Sequence, residues 1–255
     1  MRPAAGLKPA SAPSSVITTV TPVIITGNEE EVGAPIFVVG RTGKERFAPN
    51  RLADALRAEC PVAVGGELLY RYRGGAYRPD GERWARRRVA EILEDDWSRV
   101  RADEVIAHLR DLAESLLERP PLGVINVRNG LLELDTLSLL PHDPALLTSV
   151  QIGAAYDPAA TCPAIDRFVT TTFPDDAAEL AWQIAGYLTV PDSRLQRAVM
   201  CKGGGENGKS VFLSLLTAFL GGRDNVSSQP LHKLDEDRFA AADLYGKLAQ
   251  RLRRP

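Results

Sequence analysis

The sequence predicts an α+β domain followed by the first part of an α/β domain. Two observations predict the α+β domain: hairpin signals at Gly74-Gly75 and Asn129-Gly130, and apolar residues at helical spacing around them. One further observation predicts the α/β part. An apolar segment, a glycine-rich loop and an amphipathic helix follow one another from residue 197 to residue 220.

Three units are expected along the chain. Residues 1–35 begin with a stretch rich in Pro, Ala and Ser, and we expect them to be disordered or weakly structured. Residues 36–190 form the α+β domain, which we interpret as an accessory domain. Residues 191–255 form the N-terminal part of the α/β domain.

The composition restricts the classes of protein. The 255 residues are 44% hydrophobic and 25% charged, as is usual for a globular protein. Because the net charge is -2, any nucleic-acid-binding surface would have to be local. The three cysteines form no CxxC pair, which argues against a zinc site or a disulfide framework. No run of 18 apolar residues and no signal peptide is visible, so we expect a cytoplasmic protein without a membrane partner.

The accessory domain reads as alternating short strands and amphipathic helices. Asn50 is expected to cap the first helix, which would end before Pro61. The other elements expected in the first half are strands within 16–25 and 36–39, a hairpin over 68–78, and helices over 82–93 and 102–117.

The second half begins with the Asn129-Gly130 hairpin. Asp175 and Asp176 are expected to cap a helix and to place acids in its first turn. His142 has no histidine or cysteine near it in sequence, so we do not expect a metal there. The elements expected here are a hairpin over 124–134, a strand over 137–140, helices over 164–173 and 175–187, and a buried strand over 197–201.

The glycine-rich loop fits the pattern GxxxxGK[ST] of a P-loop, or Walker A motif. Its glycines would let backbone N–H groups approach phosphates. Lys209 would reach the β- and γ-phosphates, and the Ser210 hydroxyl would coordinate Mg²⁺, so the expected cofactors are ATP and Mg²⁺. The expected binding residues are Gly203, Gly204, Gly205, Glu206, Asn207, Gly208, Lys209 and Ser210.

A second candidate site lies in the hairpin over 68–78. With Gly74-Gly75 as the turn, Tyr72 faces Tyr77 and Arg71 faces Arg78 across the strands. A phosphate between the arginines would relieve their repulsion, and Arg87 on the next helix would extend a DNA-binding surface. The alternative is that the tyrosines face the core and the arginines face water or nearby acids, Glu67 and Asp80.

The order of these motifs resembles the phage and plasmid primase–helicase family, whose motor is a superfamily III helicase. The matching segments are Ile125–Leu134, Pro141-His142, Tyr156-Asp157-Pro158, Cys162-Pro163, Gly186-Tyr187-Leu188, Gly203–Ser210, Arg238-Phe239 and Leu244–Leu248. The resemblance implies an α/β P-loop NTPase (AAA+-like) domain after the accessory domain. It also implies an ATP-driven helicase in DNA replication, acting as a homo-oligomeric ring on single-stranded or forked DNA and often fused to a primase.

The sequence departs from this family after Leu248. The resemblance implies an apolar strand that ends in an acidic Walker B residue, whereas residues 249–255 read Ala-Gln-Arg-Leu-Arg-Arg-Pro. We therefore expect an incomplete P-loop domain, truncated before Walker B, in which ATP hydrolysis is impaired. Two alternatives remain open: a non-enzymatic DNA-binding or oligomerisation remnant of a prophage, and a P-loop kinase of small molecules, against which the absence of an acceptor-binding lid argues.

Overall fold

The computed structural model describes residues 35–40, 43–192, 195–236, 244 and 246–252. The predicted segment 1–34, with its strand within 16–25, lies outside the described residues, and so do Arg238-Phe239 of the family resemblance. The described chain mixes helices with small sheets, as the α+β prediction for the accessory domain requires.

Three helices and one sheet enclose the main core. The helices are α1 (Pro49–Glu59), α2 (Gly81–Leu93) and α3 (Arg99–Leu112). They bury a continuous apolar cluster because their apolar residues recur at helical spacing. The fully buried side chains of that cluster include Leu52, Leu56, Leu69, Val89, Val105 and Leu109. Phe37 and Phe47, on the antiparallel strands β1 (Phe37–Val39) and β2 (Glu45–Phe47), pack against it.

The main sheet has four strands in the order β5-β4-β3-β6. The strands are β3 (Val62–Gly65), β4 (Leu68–Arg73), β5 (Ala76–Arg78) and β6 (Glu114–Ser115). The turn between β4 and β5 uses Gly74 and Gly75, whose φ angles of 61° and 88° suit glycine. The predicted register is confirmed, since Arg71 pairs with Arg78 and Tyr72 with Tyr77.

The helix predicted over 102–117 was wrong at both ends. It begins at Arg99, because the Ser98 hydroxyl accepts a hydrogen bond from the Arg101 backbone N–H at 3.3 Å and caps it. It ends at Leu112, after which β6 pairs parallel with β3. The Leu116 backbone N–H then donates to the Val64 carbonyl at 2.8 Å. Apolar residues continue at helical spacing past residue 112. The backbone of residues 114–116 nevertheless leaves the helix, because it hydrogen-bonds to the edge of strand β3 instead.

A second sheet of three strands contains the hairpin predicted over 124–134, which is confirmed, but its turn is Arg128-Asn129 and not Asn129-Gly130, because Gly130 already pairs with Val127. Its strands are β7 (Val124–Val127), β8 (Gly130–Glu133) and β9 (Leu139–Leu140). The strand predicted over 137–140 is shorter than expected and covers only 139–140. Leu137 has a left-handed φ of 54°, which does not fit a strand.

The rest of the described chain is mainly helical. Its helices are α4 (Pro163–Thr172), α5 (Asp175–Tyr187), α6 (Lys209–Phe219) and α7 (Leu231–Glu236). Val169, Ala181, Phe212 and Leu216 form a small core between the first three of these helices. Two short strands, β10 (Val226–Ser227) and β11 (Ala249–Gln250), pair in parallel. Short 3₁₀ helices lie at Glu94–Asp96, Pro144–Leu146 and Gly222–Asp224.

The predicted buried strand over 197–201 was wrong. These residues have no regular secondary structure, and Val199 and Met200 are 58% and 88% exposed. A strand is held by hydrogen bonds to a neighbour, and no strand in the described part of the chain pairs with residues 197–201. An apolar run therefore lies uncovered where the sequence predicted the centre of a sheet.

Two predicted helix caps were also wrong. α1 follows Ala48 and begins at Pro49, so Asn50 lies inside its first turn and makes no side-chain cap. Asp175 and Asp176 lie in the first turn of α5 as expected, but neither caps it, since Pro174 occupies the capping position. Their charges still suit the positive end of the helix dipole. None of the helices in the described part of the chain has the length and apolar character needed to cross a bilayer.

Candidate functional site

The glycine-rich loop, residues 203–210, enters α6 through a left-handed glycine. Gly208 precedes the helix with φ 78° and ψ -5°. A Cβ at Gly208 would lie 2.7 Å from Thr172 Cγ2 and 3.2 Å from Phe168 Cε2, both on α4. Glycine is therefore required here twice, by the backbone conformation and by the contact with α4. Phe212 and Leu216 hold α6 in place, because both are buried against α4 and α5.

The other glycines of the loop divide into two kinds. A Cβ at Gly203 would collide with the Asn207 side chain, whereas a Cβ at Gly204 or Gly205 would meet nothing within 4 Å. Neither Gly204 nor Gly205 has a positive φ. The protein's own packing thus explains Gly203 and Gly208, the two glycines of the motif. Open space beside Gly204 and Gly205 leaves their backbone accessible to a ligand.

The Lys209 ammonium folds back into the loop. Its Nζ donates to the carbonyl of Gly203 at 3.1 Å, to the carbonyl of Gly204 at 2.5 Å, and to Asn207 Oδ1. Three oxygens of the loop therefore surround one cation. This arrangement fixes a positive charge at the mouth of the loop, next to the N-terminus of α6, where an anion is favoured.

Ser210 lies in the first turn of α6 and is exposed. Its carbonyl accepts a hydrogen bond from Ser214 Oγ at 2.7 Å, while its own hydroxyl has no partner within the described residues. The hydroxyl is thus available to a metal ion or to water. Glu206, also exposed, has a left-handed φ of 56°.

Arg251 lies beside the same helix, a contact that no pattern in the sequence predicted. The Arg251 backbone N–H donates to the Ser227 carbonyl at 2.8 Å, which continues the pairing of β11 with β10. Its NH1 lies 3.4 Å from Ser214 Oγ, one turn beyond Ser210, and its Nε is buried with no hydrogen-bond partner. A guanidinium therefore lies against α6, in the stretch that follows β11.

Arg71, predicted to contact DNA, is held by Asp80. Its Nε and NH2 donate to the two carboxylate oxygens of Asp80 at 3.0 and 2.8 Å. These hydrogen bonds hold the pKa of Asp80 below its usual value. Asp80 thus relieves the repulsion between Arg71 and Arg78. The sequence had suggested that a phosphate would do so.

Arg78, the second predicted DNA contact, faces another part of the molecule. Its NH2 donates to Gln151 Oε1 at 2.8 Å, and its NH1 lies 3.9 Å from Asp224 Oδ2. Tyr77 is only 3% exposed and meets Tyr72 edge-on at a ring separation of 5.3 Å. Burial raises the pKa of Tyr77 to about 12. The alternative given above holds for Tyr77, because a buried ring cannot stack on a base.

Arg87, the third predicted contact, is 81% exposed and pairs with Glu91 at 2.8 Å. Arg71 and Arg87 line one open depression of about 550 Å³, and Arg78 is not part of its lining. The structure therefore brings two of the three predicted DNA contacts together. Trp84 lines the same depression, and no pattern in the sequence pointed to it.

Several family signatures have structural roles. Asn129 Nδ2 donates to the Tyr156 carbonyl at 2.9 Å, and the Tyr156 N–H donates to Asn129 Oδ1 at 2.8 Å. His142 Nε2 lies 2.9 Å from the Val127 carbonyl, and its ring covers Gly75. No group of three or more metal-ligating side chains occurs among the described residues, His142 included.

The comparisons with known proteins concern the first part of the chain. Residues 51–174 match the family model described as "D5 N terminal like". This part of the chain is similar to the D5 N-terminal-like family. The D5 N-terminal-like region, characteristic of phage and plasmid primase–helicases, runs from α1 through α4, so the predicted resemblance is confirmed. The glycine-rich loop lies outside the matched residues. No curated protein matches the chain.

Proposed function

We propose that this protein binds ATP with Mg²⁺ through the glycine-rich loop and takes part in phage or plasmid DNA replication. The loop would be the Walker A motif of a P-loop NTPase (AAA+-like) domain. Lys209 would contact the β- and γ-phosphates, and Ser210 would coordinate Mg²⁺. The D5 N-terminal-like region before the loop supports the link to replication.

One observation carries the proposal: the Lys209 ammonium is already positioned inside the loop. Its three bonds are to flexible or exposed loop oxygens, from Gly203, Gly204 and Asn207. Phosphate oxygens could replace these partners while the ammonium moves little. The open space beside Gly204 and Gly205 gives the phosphates a path to the backbone N–H groups.

We further propose that binding dominates over turnover in this chain. Hydrolysis by P-loop enzymes needs a carboxylate that helps to hold Mg²⁺ and the attacking water. The residue after β11 that reaches α6 is Arg251, a cation. A cation near the expected metal position favours bound phosphate but opposes Mg²⁺, so we expect slow hydrolysis. Helicase activity coupled to hydrolysis is the function of the intact family.

The proposed partners are single-stranded or forked DNA and further copies of the chain arranged as a ring in the cytoplasm. Ring formation is tested by measuring the mass of the protein in solution with and without ATP. A monomer under both conditions would contradict this part of the proposal.

Nucleotide binding is tested with a fluorescent ATP analogue and Mg²⁺. Lys209→Ala should lower the affinity by at least tenfold, or about 1.4 kcal/mol. Lys247→Ala is the matched control, because the Lys247 ammonium also bonds to two backbone carbonyls, those of Arg223 and Asp224, at 2.8 Å each. This control should bind the analogue within twofold of the parent protein.

Equal binding by the two lysine variants, or no binding by the parent, would contradict the nucleotide site. Phosphate release with and without single-stranded DNA then separates the two parts of the proposal. We expect release near background in both. Turnover stimulated by DNA would show that the chain is an active motor and that binding does not dominate.

A further inference from the structure

The depression on the accessory domain combines positive charge with an aromatic ring. We define the basic depression by Arg71, Arg83, Trp84, Arg87 and Arg88, together with the acids Asp80 and Glu91. Four arginines and two acids line it, and Glu59 on α1 pairs with one of these arginines, Arg88, so a formal excess of one positive charge remains. In a chain whose net charge is -2, this excess marks a local surface suited to an anion.

The ion pairs of the basic depression leave part of its positive charge unpaired. Asp80 is occupied by Arg71, and Glu91 is shared between Arg87 and Arg88. Arg83 is exposed and forms no ion pair within the described residues. Arg83 and Arg87 lie four residues apart on α2, so they project from the same face of the helix, roughly 6 Å apart at their Cβ atoms.

Trp84 gives this surface a stacking platform. Its side chain is partly buried against the main core and also lines the depression. The Arg71 guanidinium lies 5.9 Å from the ring centroid and supports the ring from one side. The indole N–H has no hydrogen-bond partner among the described residues.

Helix α2 carries four arginines, Arg83, Arg86, Arg87 and Arg88, and Arg86 does not belong to this surface. Arg86 bonds to Glu82 at 2.9 Å and to Asp103 at 2.7 Å, which directs it toward α3. Arg88 is likewise held by Glu59 on α1 at 2.9 Å, so Arg83 and Arg87 are the two α2 arginines that remain for a ligand of the depression.

We propose that the basic depression binds single-stranded DNA, with a base stacked on Trp84 and flanking phosphates held by Arg83 and Arg87. Stacking on an aromatic ring beside basic side chains is how single strands are bound without sequence preference. The choice of DNA rests on the proposed role in replication. The site is separate from the glycine-rich loop and excludes Arg78, which bonds to Gln151.

The test is fluorescence anisotropy with a labelled 20-nucleotide oligo(dT) and the full chain. The double variant Arg83→Ala/Arg87→Ala should lower affinity by at least tenfold. It should also reduce the salt dependence of log K by about 1.4, which is 0.7 for each lost phosphate contact. The matched control is Arg99→Ala, since Arg99 is 87% exposed and lies in an i,i+4 ion pair, like Arg87. Its affinity should stay within twofold.

Trp84 is tested by its own emission. Oligo(dT) should quench the tryptophan fluorescence of the parent protein, and Trp84→Phe should lose that quenching although Trp97 and Trp182 remain. Phenylalanine keeps most of the core contact, and an unchanged circular dichroism spectrum confirms that this variant folds.

Several results would overturn the proposal. These are absence of binding, equal affinities of the double variant and Arg99→Ala, quenching that persists in Trp84→Phe, or at least tenfold tighter binding of oligo(U) or of duplex DNA. Lys209→Ala separates the two sites. It should lose nucleotide binding and keep oligo(dT) binding, so failure at one site leaves the other interpretable.

Discussion

The Asn225 side chain donates to the carbonyl of Gln151 at 2.7 Å and so joins the α6 region to the accessory domain. The same amide also donates to the Leu220 carbonyl at 2.6 Å, at the C-terminal end of α6. Asn225 is 1% exposed. Two segments far apart in sequence therefore share one buried amide group, and the position of α6 depends on it.

Asn225→Ala should destabilise the protein. The substitution leaves two buried carbonyls without these donors, at a cost of about 1–3 kcal/mol for each unsatisfied group. The measurement is urea unfolding followed by circular dichroism. Asn50→Ala is the control, because Asn50 is exposed in α1 and makes no cap, and it should change stability by less than about 0.5 kcal/mol. Equal effects of the two substitutions would contradict the role of Asn225.

Gly208→Ala should disrupt the loop, whereas Gly204→Ala should not affect folding. Alanine at residue 208 would need a left-handed backbone, costing about 1–2 kcal/mol, and its Cβ would collide with Thr172. Thermal unfolding should therefore show a clear loss of stability for Gly208→Ala alone. Gly204→Ala should keep the parent's melting temperature but bind the ATP analogue more weakly. Unchanged binding by Gly204→Ala would mean that phosphate does not approach this glycine.

The Arg71–Asp80 pair should make stability depend on pH in the acidic range. The folded-state pKa of Asp80 is lowered, so its stabilising contribution is complete above the unfolded pKa and is lost as pH falls through the folded pKa. Asp80→Asn should remove that part of the acidic decrease and lower stability at neutral pH by about 1.5–3 kcal/mol. The measurement is the melting temperature at a series of pH values from about 5 down to about 2.5, a range in which Asp titrates.

Asp54→Asn is the control for the pH experiment. Asp54 is 60% exposed and lies 3.9 Å from Arg57, so its ion pair contributes little. Its melting curve should follow that of the parent at every pH. If Asp54→Asn and Asp80→Asn respond alike, the bidentate pair has no special role.

Asn129→Ala should weaken the second sheet. The side chain makes reciprocal hydrogen bonds with the backbone of Tyr156, each worth about 0.5–1.5 kcal/mol. Hydrogen exchange should accelerate for the amides of β7, β8 and Tyr156 more than for those of α1 to α3. Uniform acceleration throughout the protein would show instead that Asn129 acts on global stability.

Local signals in the sequence predicted local structure well. The turn at Gly74-Gly75 was confirmed, because two adjacent glycines with positive φ determine both turn and register. The second hairpin was also confirmed, but its turn lies one residue earlier than predicted, at Arg128-Asn129, since Gly130 already pairs with Val127. The glycine-rich loop likewise leads into a helix that begins at Lys209, as the motif predicts. In each case the deciding interactions lie within a few residues along the chain.

The failures came where the deciding partner lies far away in sequence. Residues 197–201 have the composition of a buried strand, but a strand forms only beside a neighbour. The end of α3 was misplaced because the edge of β3 competes for the backbone of 114–116. Arg71 pairs with Asp80 and Arg78 bonds to Gln151, and these contacts determine which arginines remain available to a ligand. The sequence alone did not distinguish Asp80 from a phosphate as the partner of Arg71.

The position of the Lys209 ammonium has a thermodynamic consequence for any ligand of the loop. Because three loop oxygens already solvate the cation, an incoming anion exchanges existing hydrogen bonds and creates few new ones. The heat released by that exchange should be small, and the favourable part of binding should come from released water and counterions. A calorimetric titration of the protein with nucleotide should accordingly show an entropy-driven association.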